Sequence, residues 1–101
     1  MLNRNEIRQA TIDQFNIQAV NGIFHDPTYD IDVTINQAIE MLDIMLDRLP
    51  EKDTIYAMMD PDIMSKVSME TTKEYLDRGL INMTTYESYK TYMSNLGFVV
   101  A

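Results

Sequence analysis

The chain has 101 residues, of which 46% are hydrophobic and 24% are charged, and it contains no cysteine. These totals predict one folded domain over residues 1–101 and argue against disorder, and the lack of cysteine excludes disulfides and a cysteine-based zinc site. No signal-peptide pattern is present, and the apolar runs are far shorter than the roughly 18 residues of a membrane span. We therefore expect a cytoplasmic protein, in the host cytoplasm if it is viral, with no membrane partner.

Negative charge is concentrated in the middle of the chain. The net charge is −8, from 16 acidic and 8 basic residues. Ten of the acidic residues but only two of the basic ones lie between Asp26 and Asp62. Such a segment repels phosphate, which argues against direct nucleic-acid binding, and it attracts a basic protein surface. The alternative interpretation is that the acidic residues only keep a small protein soluble.

The first predicted helix begins near Asn3. Asn3 and Glu6 have the spacing of a capping box, and the apolar residues that follow recur with a helical period. Gly22 is the predicted stop, because glycine adopts the left-handed conformation of a helix terminus at little cost.

The next segment, residues 23–32, is predicted to be a connector. Pro27 disfavours helix at Asp26, the residue before it. Beyond the proline, apolar and polar residues alternate as in a short strand. Because no partner strand is recognisable, we expect an extended lead into the second helix.

The second helix has the strongest pattern of the chain. Its apolar residues follow a helical period and are numerous enough to face more than one neighbour, which predicts a central position. The residues are Ile35, Ala38, Ile39, Met41, Leu42, Ile44, Met45, Leu46 and Leu49. Asp32 or Thr34 is the predicted cap, and Glu40, Asp43 and Asp47 share the opposite face.

Short helices fill the remainder. Residues 51–59 are expected to form a helical turn, and Asp60 with Pro61 marks a helix start. Ser68 is a place where that helix could divide in two, and Gly79 predicts its end. The sequence thus indicates an all-α fold, a compact bundle of four to five short helices ending in a helical hairpin.

The final hairpin has a detailed turn signal. Leu80 is expected to fold back onto Tyr75 beyond Gly79, and Thr84 with Glu87 has capping-box spacing for the last helix. The pattern L-x-x-G-L-I at 76–81 followed by Y-E-x-x-K resembles the small SHOCT-like C-terminal hairpins of bacterial and phage proteins. That resemblance implies an oligomerising or docking role. It does not imply DNA binding, because Lys90 is the single cation of the last helix.

Residues with catalytic or metal-binding potential are few. His25 is the only histidine, and a lone histidine in a polar loop is most often a surface residue. Residues 30–41 superficially match a calcium loop but lack the required glycine and bidentate glutamate. An enzyme with a carboxylate site at Glu40 and Asp43 beside His25 remains a third hypothesis, without a visible nucleophile–base pair. We therefore expect no enzyme activity, no metal and no cofactor.

The leading hypothesis is a non-enzymatic acidic module that docks on the basic surface of a partner protein, such as one that handles nucleic acid. The composition resembles that of phage-encoded accessory proteins, which implies an inhibitor or modulator. The alternative is a structural or assembly component that self-associates as a homo-oligomer through the C-terminal hairpin and the "GFVVA" tail. The predicted partner-binding residues combine the acidic segment with a Tyr/Met patch: Asp30, Asp32, Glu40, Asp43, Asp47, Tyr56, Met58 and Met59.

Overall fold

A computed structural model describes residues 3–50 and 54–98. Within these ranges the chain forms five helices and one two-stranded antiparallel sheet. In chain order the elements are α1 (Arg4–Gln18), β1 (Ile23–Asp26), β2 (Ile31–Thr34), α2 (Ile35–Arg48), α3 (Thr54–Met59), α4 (Pro61–Asp77) and α5 (Met83–Asn95). The fold is therefore mostly helical. The first part of the predicted turn over 51–59 and the end of the tail lie outside the described residues.

The β-hairpin corrects the prediction of an all-α fold with an extended lead. β1 is the partner strand that the sequence pattern did not reveal, and it pairs with β2 from Ile23 opposite Thr34 to Asp26 opposite Ile31. The Asp26 carboxylate accepts a hydrogen bond from the backbone N–H of Thr28 at 2.9 Å, which fixes the turn after the proline. The sequence of β1 is IFHD, in which only two residues are apolar, so it lacks the longer apolar or alternating run typical of a strand.

The end of α1 also differs from its prediction. The helix ends at Gln18, and Gly22 lies in the turn that is closed by a bridge between Val20 and Ile23. Asn21 and Gly22 have φ values of 53° and 77°, a left-handed pair that reverses the chain into β1. Gly22 therefore serves the turn into the hairpin rather than the helix stop.

Local hydrogen bonds explain where the longer helices begin. Asn3, Thr34 and Asp60 each accept a backbone N–H of the first turn through the side chain, as the sequence predicts for α1, α2 and α4. The predicted cap of α5 is wrong: Asn82, not Thr84, accepts from the backbone N–H of the third helical residue. Asparagine is as good a cap as threonine, so spacing alone could not separate the two.

α2 lies at the centre of the fold, as its broad apolar pattern predicts. It packs against α1, α4 and both strands. Its buried residues divide between two core clusters. The cluster on the hairpin side contains Phe24, Val33, Ala38, Met41, Ile44, Tyr75 and Ile81. The cluster on the α3 side contains Leu42, Leu46, Leu49, Ala57 and Val67.

α4 is continuous through Ser68 and ends where the glycine predicts. Gly79 has a φ of 75°, and the N–H of Leu80 donates to the carbonyl of Tyr75 at 2.8 Å. This is the predicted Schellman-type stop, which satisfies carbonyl groups that the helix leaves unpaired. α5 then packs against α4.

Candidate functional site

The acidic face of α2 is exposed, but arginines from other helices pair with it. Each of its three carboxylates has a guanidinium partner from α1 or from the residue after α4. The pairs are Arg78–Glu40 at 3.5 Å, Arg8–Asp43 at 2.6 Å and Arg4–Asp47 at 3.8 Å. Local charge on this face is therefore largely compensated within the chain.

The Arg8–Asp43 pair has the strongest geometry of the three. Nε of Arg8 donates to Oδ1 of Asp43 at 2.6 Å and Nη2 donates to Oδ2 at 3.1 Å, a bidentate arrangement. The hydrogen bond to Asp43 raises the pKa of the Arg8 guanidinium further. A partner cation would have to displace this fork before it could contact Asp43.

His25 holds the two predicted carboxylates of the hairpin together. Its Nδ1 lies 2.8 Å from Asp32 and its Nε2 lies 3.2 Å from Asp30. The imidazole is 57% exposed, and the hydrogen bond to Asp32 raises its pKa above the ordinary value. Both ring nitrogens thus face carboxylates, which favours the imidazolium form as a tether of the turn.

The Tyr/Met patch is exposed on α3. Thr54 and Ala57 are buried and Ile55 is half-buried, whereas Tyr56, Met58 and Met59 of the six-residue helix face outward. Tyr56 is 68% exposed and Met59 77%, with Met58 beside them at 39%. An aromatic ring and two thioethers in water on one short helix are uncommon unless they serve a contact.

Two further carboxylates border this patch. Asp60 and Asp62 line an open depression together with Tyr56, Met59 and Pro61. No basic residue in the described ranges forms an ion pair with either carboxylate, although Asp60 accepts backbone hydrogen bonds as the cap of α4. We name Tyr56, Met58, Met59, Asp60 and Asp62 the α3–α4 junction.

The structure therefore separates the predicted contact residues into three groups. Asp30 and Asp32 pair with His25, and the three acidic residues of α2 pair with arginines. The three residues of the Tyr/Met patch on α3 are exposed beside Asp60 and Asp62. Asp60 and Asp62 belong to the acidic segment from Asp26 to Asp62 but are not among the predicted contact residues, because "DPD" is also the signal of a helix start. Their adjacency to the Met pair was the available signal.

A second exposed apolar pair lies on α5. Tyr92 is 57% exposed and Leu96 is 55% exposed, and their spacing of four residues places them on one side of the helix end. Both residues belong to the C-terminal hairpin, through which the protein would self-associate under the alternative hypothesis.

Two further questions concern metal ligands and membrane-spanning helices. Within residues 3–50 and 54–98, no group of three or more histidine, aspartate or glutamate side chains is arranged to hold a metal ion. None of the helices in the same ranges combines the length and apolar character needed to cross a membrane. His25 and Glu40, the pair of the enzyme hypothesis, each have other partners, namely carboxylates and Arg78.

Comparison with other proteins adds no relationship. No family model, no curated protein and no solved structure matches this chain.

Proposed function

We propose that this protein is a non-enzymatic interaction module that binds a partner protein with a basic surface through the α3–α4 junction. The observation that carries the proposal is the exposure of Tyr56 and Met59 next to Asp60 and Asp62, which have no cation partner in the described part of the chain. The combination matches an interface with an apolar centre and a charged rim.

The apolar half of the junction provides contact area. Tyrosine and methionine are enriched in protein interfaces, and tyrosine orders few rotatable bonds when it is buried by a partner. Flexible thioethers adapt to irregular surfaces, which suits Met58 and Met59. A partner that covered these side chains would remove apolar surface from water, the main favourable term in association.

The acidic half of the junction provides orientation. A net charge of −8 attracts a basic partner over long range, and the unpaired Asp60 and Asp62 favour cations at the rim of the contact. Asp30, Asp32, Glu40, Asp43 and Asp47 stay predicted contacts. Their existing pairs with His25 and the arginines weaken the electrostatic reason for that prediction, because a partner must replace those bonds.

An acidic protein that covers a phosphate-binding surface competes with nucleic acid. The inhibitor hypothesis is thus the specific form that this proposal takes when the partner handles nucleic acid. It requires that added nucleic acid and this protein exclude one another on the partner.

Affinity capture with matched variants tests the proposal. The tagged chain, a Tyr56→Ser/Met59→Ser variant and a Tyr92→Ser/Leu96→Ser variant are each incubated with lysate of the native cell. We expect the junction variant to lose a protein that the wild type and the α5 variant both retain. We also expect Asp62→Lys to lower the yield and added salt to elute the partner, because exposed charges are screened within about 8 Å at physiological ionic strength.

The same variants also define the results that would reject the proposal. Retention of the partner by the junction variant, or its loss only in the α5 variant, would reject the α3–α4 junction as the contact. Circular dichroism of each variant confirms that the substitutions leave the helices folded, as expected for exposed side chains.

Self-association through the final helices is the second candidate, favoured by the exposed Tyr92 and Leu96. It predicts an oligomer whose population rises with concentration and which Tyr92→Ser/Leu96→Ser dissolves. Sedimentation equilibrium measures this directly, with the junction variant as the matched control. A monomer at every concentration would eliminate this candidate and leave the first unaffected.

A further inference from the structure

A cleft of about 470 Å³ opens between α1, the hairpin and α4, with α2 as its floor. Its volume falls in the range of small-molecule sites, roughly 300–1,000 Å³. Phe15 and Phe24 contribute to one wall, and Met41 and Met45 contribute to the floor. The two phenyl rings are 4.7 Å apart between centroids, so the wall is a continuous aromatic surface.

The cleft is also lined by an acidic residue of the central segment that has no ion-pair partner within residues 3–50 and 54–98. Asp26 lines the cleft and is half-buried, yet no basic residue in the described ranges forms an ion pair with it. By contrast, the five acidic residues from Asp30 to Asp47 all pair with His25 or an arginine. Both ring nitrogens of the adjacent His25 pair with other carboxylates, those of Asp30 and Asp32. Burial raises the pKa of the Asp26 carboxyl, although hydrogen bonds from Thr28 and Tyr29 and the charge of His25 act in the opposite direction.

Three tyrosines surround the same end of the cleft. The ring of Tyr29 packs edge-on against Tyr75, with 5.8 Å between centroids, and at a tilt of 52° against Tyr89, with 4.9 Å between centroids. All three rings line the cleft. Burial is the largest cause of the raised pKa of each hydroxyl, and the charge of Asp26 contributes in every case. The three phenols therefore stay neutral and lie within the field of that carboxylate.

This combination has a specific chemical complement. Aromatic faces carry negative potential and attract cations, and a half-buried carboxylate without a counterion does so more strongly. The remainder of the lining is mostly apolar, with the hydroxyl-bearing residues Thr11, Thr28, Ser68 and Thr71 and no further charged group, which disfavours a ligand that is charged throughout. We propose that this cleft binds a small organic cation, a primary ammonium on an aryl or alkyl body, with the ammonium at Asp26 and the body between Phe15 and Met45.

This site shares no residue with the α3–α4 junction, so it is independent of the proposed function. It predicts that occupancy by the amine stabilises the folded chain, because a ligand that binds only the native state raises the unfolding free energy. It also predicts discrimination by charge rather than by shape.

A pair of matched probes tests that discrimination without any mutation. The ¹⁵N-labelled chain is titrated with 2-phenylethylammonium and, separately, with 2-phenylethanol at neutral pH. We expect saturable amide shifts at Asp26, Thr28 and Tyr29 and beside Tyr75 and Tyr89, with the ammonium binding about tenfold more tightly than the alcohol. Equal affinities, shifts confined to other regions, or no saturation by the ammonium at millimolar concentration would overturn the proposal.

Two variants then assign the charge recognition to one residue. Asp26→Asn keeps an oxygen that accepts from Thr28, so we expect the hairpin to persist and the preference for the ammonium to vanish. Asp30→Asn is the matched control, because Asp30 lies in the same hairpin but does not line the cleft. Unchanged preference in Asp26→Asn, or an equal loss in Asp30→Asn, would contradict the assignment.

Discussion

At the scale of single residues, His25 shows how a side chain with catalytic potential acquires a structural role. It lies in β1, and the register places it opposite Asp32 while the turn brings Asp30 to its other nitrogen. An imidazole between two carboxylates is stabilised in its charged form. The single histidine of the chain thus couples the hairpin to pH.

We expect hairpin stability to depend on the protonation of His25. The folded-state pKa is raised above the ordinary value of 6.5, first by the hydrogen bond to Asp32. A raised histidine pKa contributes stability that is fully present below pH 6.5 and is lost as pH rises through the folded value. An NMR titration of the His25 ring is expected to have its midpoint above 6.5.

A variant isolates this contribution from other titrating groups. Asp26 also lies in the hairpin and has a raised pKa of its own, so the wild-type pH profile alone is ambiguous. We expect His25→Gln to remove the decline of the melting temperature between about pH 6 and 8, the range in which histidine titrates. Asp32→Asn is expected to bring the His25 midpoint back toward its ordinary value. A midpoint at or below 6.5 in the wild type would show that the tether is not formed.

At the scale of elements, each long helix starts at a local side-chain cap. Such caps satisfy backbone N–H groups that have no partner within the helix. α2 shows the fullest form, since Thr34 and Gln37 exchange two hydrogen bonds at 3.1 and 2.9 Å. α5 is the case in which two candidate caps lie two residues apart.

The α5 cap supplies a direct comparison. We expect Asn82→Ala to lower the unfolding free energy by about 1 kcal/mol, because Asn82 accepts from Thr85 at 2.8 Å. Thr84→Ala, inside the helix and exposed, is expected to change it by less than about 0.5 kcal/mol. Chemical denaturation of both variants measures the difference. A larger cost for Thr84→Ala would reinstate the threonine as the cap.

At the scale of the whole molecule, α2 organises the core while the α3–α4 junction remains outside it. Leu46 is 2% exposed within the cluster that faces α3, whereas Met59 is 77% exposed. Both are large apolar residues, and sequence pattern alone does not separate them. Their different surroundings predict different consequences of the same truncation.

We expect Leu46→Ala to cost about 2–5 kcal/mol of unfolding free energy, since it removes buried methyl groups and leaves a cavity. Met59→Ala is expected to change stability by less than about 0.5 kcal/mol while impairing partner binding. Denaturation curves with an unchanged slope provide the measurement. A destabilisation by Met59→Ala comparable to that of Leu46→Ala would place Met59 in the core and remove the basis of the proposed function.

The sequence by itself determined the features that depend on near neighbours. The caps at Asn3 and Asp60 and the stop at Gly79 were predictable, because each needs only residues within about five positions. For α2 the sequence left Asp32 and Thr34 as candidates, and the structure selects Thr34. The central place of α2 followed from its wide apolar pattern. The exposure of Tyr56, Met58 and Met59 did not follow from the sequence alone, since core packing and surface contact use the same residue types.

Only the tertiary structure decided the contacts between residues far apart in the chain. Pairing of β1 with β2 depends on a turn that weak strand signals did not reveal, and the partners of Asp43 and Glu40 lie 35 and 38 positions away in sequence. Charge compensation therefore cannot be read from composition: a segment with a net charge of −8 has most of its described carboxylates paired once the helices pack. Distance in space, not order in the chain, sets which charges remain for a partner or a ligand.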